Sequence, residues 1–185
     1  MTLKELKTKL ASSDDLKRTG ALKEFRDGEF GLEALPLLRQ LLADESISLV
    51  LLAIECIGKL GPEALTCEAG ESEMPTGCGK ERASLEWQLY VLGGRVWGYS
   101  LYSNCYSACL KALVQLQADE DSVIEYINDH IGLCSPDDLV HSLNALETIG
   151  TPEARDLFKR SVTFWLPKLN KTYTKKVQAL AATVK

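Results

Sequence analysis

The sequence predicts an all-α protein, a superhelix of stacked antiparallel helix pairs with about nine or ten helices. Three observations predict it. Apolar residues recur at helical spacing along nearly the whole chain. No segment shows the clean alternation between hairpin turns that marks strands. The same punctuation is also written twice, "KLGPEAL" at 59–65 and "TIGTPEARDL" at 148–157, each time after an apolar run.

The elements follow in order. "LKELKTKL" puts Leu3, Leu6 and Leu10 on one face, and "DDLKRTGALKEF" does so with Leu16, Leu22 and Phe25, with Ser12 or Ser13 as its N-cap. "GLEALPLLRQLLADE" carries a broad stripe of Leu32, Leu35, Leu38, Leu41 and Leu42. "ISLVLLAIECIGKLG" is apolar almost all round, so it must be covered on several sides. After Gly61 the text turns polar and aperiodic, which predicts an insertion loop at about 66–84. Helical pattern resumes in "SLEWQLYVL", breaks at Gly93-Gly94, and restarts near "WGYSLYSNCYSACLKALVQLQ". "DEDSVIEYINDHIG" gives a shorter helix through Val123, Ile124, Ile127 and Ile131.

The next helix has an explicit start and stop. Ser135 caps it, Pro136 fits the first helical position, Asp138 has capping-box spacing, and Gly150 can take the left-handed conformation that ends it. Thr151-Pro152 opens another helix by the same logic, Pro167 ends or kinks that one, and "TYTKKVQALAATV" forms the last.

Aligning "LLAIECIGKLGPEA", "YSACLKALVQLQADED" and "LVHSLNALETIGTPEA" puts Leu60, Leu116 and Ile149 in register, followed by Gly61, Gln117 and Gly150. The repeated punctuation is then a turn between units: glycine closes one helix, and proline opens the next without losing a hydrogen bond. Stretch 34–64, "ALPLLRQLLADESISLVLLAIECIGKLGPEA", resembles the HEAT-repeat family: Pro36 in the first helix, Asp44 at the turn within the unit, and Gly58, Gly61 and Ala64 at the end. Residues 107–154 match more loosely, through Ala108, Leu113 and Leu146 with Asp119 or Asp121 at a turn. The basic residue usual in the family's second helix is missing, and Leu51 or Leu52 stands near its place. The resemblance covers about two-thirds of the chain. It implies an α-solenoid that binds macromolecules, without implying an activity.

The 185 residues suit one domain, 1–185. No apolar run reaches the length that spans a bilayer, and the N-terminus lacks the apolar core of a secretory signal. The expected location is therefore the cytoplasm, provided that no leader precedes this N-terminus. Cys56, Cys105, Cys109 and Cys134 fall in apolar helical text and are expected as buried thiols, while Cys67 and Cys78 flank the polar loop. There is no CxxC, and His130 and His141 lack companions at zinc spacing, so neither a metal nor a cofactor is expected. The net charge of −5 is uneven: residues 155–185 hold eight basic side chains against one acid, which leaves −12 on the first 154. Such asymmetry bears on partners rather than on fold.

Two constellations are candidates for binding. Residues 87–106 hold six of the thirteen aromatics, Trp87, Tyr90, Trp97, Tyr99, Tyr102 and Tyr106, and the spacing of the last three puts them on one helix face. They read either as packing between neighbouring units or as a contact surface, where Tyr and Trp are enriched. Lys168, Lys171, Lys175 and Lys176 form a basic patch that reads either as a phosphate-binding surface or as the polar face of a terminal helix. "GGRVWG" is not a dinucleotide fingerprint, and no histidine stands near Cys105 or Cys109 in sequence, so nothing here requires an enzyme.

The functional expectation is a non-catalytic adaptor that grips a protein partner. One concrete version is an immunity protein whose acidic body meets a basic toxin. Its rivals are a nucleic-acid-binding or repair protein of HEAT type, which the acidity of residues 1–154 opposes, and a chromophore- or cofactor-handling helical scaffold.

Overall fold

A computed structural model describes residues 1–66, 84–94 and 103–183. Trp97, Tyr99, Tyr102, Cys67 and Cys78 lie outside the described residues, as does nearly all of the expected insertion loop. Within the described residues the chain is entirely helical, with eleven α-helices, two 3-10 turns and no strand.

Helix α1, Leu3–Leu10, starts from a complete capping box between Thr2 and Glu5. Helix α2, Asp15–Arg26, is capped by Asp14 rather than by Ser12 or Ser13: its carboxylate accepts from the Leu16 and Lys17 amides at 2.9 and 3.3 Å. Ser12 instead accepts from the Asp14 amide, one step outside the helix. The Leu-rich segment divides into a 3-10 turn, Leu32–Ala34, and α3, Leu35–Leu41, with Pro36 in its first turn, where its missing N–H leaves no bond unmade.

Helix α4, Ile47–Lys59, buries eight of its thirteen residues because α2, α3 and α7 surround it. The Asp44 carboxylate accepts from the Ser46 amide at 2.9 Å and opens this helix. A short helical turn, α5 at Glu63–Thr66, follows Pro62 and ends where the expected insertion begins. Helix α6, Leu85–Gly94, continues through Gly93 and has Gly94 as its last residue, at the pair of glycines where the pattern breaks.

Helices α7, Ser103–Gln115, and α8, Glu120–Ile131, follow, and Asp119 caps α8. Helix α9, Pro136–Ile149, begins on Ser135 and ends on Gly150 at φ 70°. Helix α10, Pro152–Trp165, begins on Thr151 and gives way to a 3-10 turn that contains Pro167. Helix α11, Lys171–Ala181, is capped by Asn170.

Consecutive helices pack as pairs: α1 with α2, α3 with α4, α6 with α7, α8 with α9, and α10 with α11. The second members also touch in a row, α2 to α4 to α7 to α9 to α11. Polar links run along it. Arg18 on α2 is salt-bridged to Asp44, and Arg26 Nη1 meets Glu55 on α4 at 2.6 Å. Lys59 donates to the Arg26 carbonyl at 2.7 Å. Gly58 lets α4 approach α7 so closely that a Cβ there would stand 3.2 Å from the Ala112 Cα.

Between α7 and α9, Tyr106 and Ser142 share a hydrogen bond of 2.9 Å, and Ser107 donates to Asp138. Thr183 donates to Glu147 of α9 at 2.5 Å. Among the described residues the backbone is left-handed at Gly61, Gln117 and Gly150, the three positions that the alignment of the units places together.

Candidate interaction surfaces

Tyr106 is core. Its side chain is 2% exposed, because the apolar face of α7 is pressed between α6 and α9. Its hydroxyl meets Ser142, whose Oγ in turn donates to the Asp138 carbonyl at 2.9 Å. Its ring lies 5.2 Å from that of Tyr126 and 5.3 Å from that of His130, centre to centre.

Tyr90, half-buried on α6, packs edge-on against Tyr126 at 5.1 Å and donates its hydroxyl to Glu86 at 3.2 Å. Trp87, one turn earlier, is 44% exposed. Of the six aromatics proposed from sequence, then, the described ones divide into a core ring, a bridging ring and a surface ring. Exposed large apolar side chains other than Trp87 occur singly on other elements, at Leu16, Leu133 and Phe164, which is ordinary for a protein surface.

The sequence reading passed over Tyr126. It sits outside the aromatic-rich stretch, and the available signal was its place beside Val123 and Ile127 on the buried face of α8. Its hydroxyl is buried without a hydrogen-bond partner among the described residues and rests against Gly93, where any Cβ would collide with it. Arg39 and Gln88 were also passed over. Both are buried, and Arg39 Nε donates to the Gln88 side-chain oxygen at 3.1 Å, joining α3 to α6. Burial lowers the Arg39 pKa from its ordinary value.

Burial also decides the chemistry of the thiols and phenols. It raises Cys105 and Cys109, and it pushes Cys56 and Cys134 up to about 12, so all four are protonated at neutral pH and poor nucleophiles. Tyr106 and Tyr126 are likewise driven well above the usual phenol range by burial. His130 turns Nδ1 toward the Tyr126 carbonyl at 2.7 Å, and His141 is exposed on α9. Among the described residues no group of three His, Cys, Asp or Glu stands where it could hold a metal ion, and no helix is long and apolar enough to cross a membrane.

The four lysines proposed as a basic patch are all exposed. Lys168 Nζ sits 3.0 Å from the centre of the Phe164 ring, and Lys176 sits 4.9 Å from that of Tyr173. The Asp137 carboxylate of α9 raises the Tyr173 pKa. Val177 is the buried residue of α11, so most of this helix faces solvent.

Two grooves differ in charge. Between α4 and α7 a groove of about 260 Å³ mixes Arg26, Lys59 and Lys111 with Asp27 and Glu55. Between α8 and α10 a groove of about 650 Å³ is lined by Asp121, Glu125, Glu153 and Asp156, with Arg160 as its one cation. No protein-family model matches this chain, and no curated protein sequence matches it.

Proposed function

We propose that this chain is a non-catalytic protein-interaction module, an α-solenoid of HEAT-like helix pairs forming one domain over 1–185 and working in the cytoplasm. The observation that carries the reading is the row α2–α4–α7–α9–α11, in which each helix keeps its pair partner on one side and its row neighbours on the others. Helix pairs stacked in this way bury one another's apolar flanks and leave a long outer surface for a partner. The partner fitting the −12 charge of residues 1–154 is a basic protein, and a toxin held by its immunity protein is the concrete version. Of the described aromatics in 87–106, Trp87 is the one exposed enough to meet it.

A nucleic-acid reading draws on the exposed Lys171, Lys175 and Lys176, but phosphates would also meet the acidic wall of α8. Affinity capture of the tagged chain from its own cells, followed by mass spectrometry and titration with the purified catch, tests the proposal. A protein recovered near one-to-one that rebinds the purified chain is the expected result. Protein-free eluates, or turnover of a small molecule by the chain alone, would overturn it. A gel shift that weakens steeply with salt would move the reading to nucleic acid.

A further inference from the structure

We propose that the acidic groove between α8 and α10 of one copy receives the lysine face of α11 from a second copy, joining chains head to tail. The groove has an apolar floor of Ile124, Pro152 and Leu157. Carboxylates stand on both walls, Asp121 and Glu125 from α8 and Glu153 and Asp156 from α10. Arg160 Nε is engaged by Asp156 at 2.7 Å. Asp121, Glu125 and Glu153 make no ion pair among the described residues.

Helix-end electrostatics accounts for only part of this charge. The dipole favours acids in a first turn, which covers Asp121 and Glu153. Glu125 and Asp156 lie beyond it. From Ala112 to Ala154 the sequence has nine carboxylates and neither lysine nor arginine, so the α8 wall has no lysine or arginine of its own, and Arg160 of the α10 wall is already engaged by Asp156.

The complementary surface is on the same chain. Lys171 and Lys175 are exposed on α11 and make no ion pair among the described residues. Lys171 occupies the first position of its helix, where the dipole disfavours a cation, so local structure gives no reason for it. Lys171 and Lys175 are four residues apart, as are Asp121 and Glu125. Four residues rise about 6 Å on any α-helix, so the two charge ladders have the same pitch. Within one chain α11 packs on α9 and α10, which leaves its lysines for another copy. Because the two patches differ, each single contact is heterologous and leaves a groove and a lysine face at the ends for further copies.

Sedimentation of the full chain from micromolar to near-millimolar concentration tests this, in about 0.01 M and about 1 M salt, where the screening length falls from about 30 Å to about 3 Å. The expected result is a mass that climbs with concentration at low salt and stays monomeric at high salt. Glu125→Lys with Glu153→Lys, and separately Lys171→Glu with Lys175→Glu, should each weaken association at least tenfold, and all four reversals in one chain should restore it. These side chains are exposed, so helicity by circular dichroism should not change. A chain monomeric at low salt overturns the proposal. So does a four-fold variant that fails to reassociate, or an equal loss from the control pair Glu29→Lys with Glu45→Lys on another face. Because the readout is self-association, its failure leaves the partner-binding proposal untouched.

Discussion

Gly61 and Gln117 hold the same left-handed backbone just past two helices that pack side by side, α4 and α7, with φ of 79° and 53°. Gly61 does so at no steric cost. Gln117 carries a Cβ, and a left-handed residue with a side chain costs about 1–2 kcal/mol. The Ala118 amide nonetheless donates to the Leu113 carbonyl at 3.0 Å, and the Gln117 amide to Val114 at 3.1 Å, the two bonds of a glycine-type helix stop. Because Gln117 is exposed, Gln117→Gly should raise stability by about 0.5–1 kcal/mol, whereas Gly150→Ala should lower it by about 1–2 kcal/mol. Urea midpoints measure both, and a lower midpoint for Gln117→Gly would remove the backbone explanation.

The contact of Gly93 with Tyr126 can be tested with a double-mutant cycle. Gly93→Ala should cost about 1–3 kcal/mol, since its methyl would occupy the place of the Tyr126 hydroxyl. Tyr126→Phe should be close to neutral, because that hydroxyl has no partner to lose. Together the two changes should recover most of the loss. Additive losses would mean that the two positions do not touch.

The buried thiols set a pH limit. An unfolded cysteine ionises near pH 8.5, whereas folded Cys56 and Cys134 wait until about 12, with Cys105 and Cys109 raised as well. Above pH of about 8.5 the unfolded chain therefore holds fewer protons than the folded one. Stability is complete below that value and declines as pH rises toward the folded values. Tyr106 and Tyr126 add to the decline above about pH 10. Denaturant midpoints in reductant should fall from pH 8 to pH 10, and Cys56→Ala should make the slope shallower. A flat profile would contradict the burial of these groups.

Two aromatics from the same stretch should respond in opposite ways. Tyr106→Ala opens a cavity and breaks the bond to Ser142, at a cost of about 3–5 kcal/mol. Trp87→Ala should change stability by less than about 0.5 kcal/mol while leaving its surface available to partner-binding assays. Equal losses from the two would refute the division between core and surface.

Much of the helical framework was legible because its signals are local. Ser135, Pro136 and Gly150 act within one turn of themselves, and the three positions that the alignment sets together, Gly61, Gln117 and Gly150, are left-handed in the structure although only the glycines gave a reason to expect it. The errors occur where neighbours decide. Ser12, Ser13 and Asp14 all carry capping oxygens, and the turn out of α1 selects Asp14. Gly93 reads as a helix breaker, but Tyr126, thirty-three residues on, requires a bare Cα at that point of α6. Arg39 lies within a leucine stripe with no cue that Gln88, forty-nine residues away, will receive it. Tyr106 satisfies both readings of the aromatic stretch until α9 supplies Ser142.

The sulfur atoms make the molecule its own clockwork of probes. Cys56 in α4, Cys105 and Cys109 in α7, and Cys134 just past α8 report from three separate places, and of these Cys134 alone is partly open. A slow alkylating reagent followed by peptide mapping would therefore time-stamp each region as it loosens, without any engineered label.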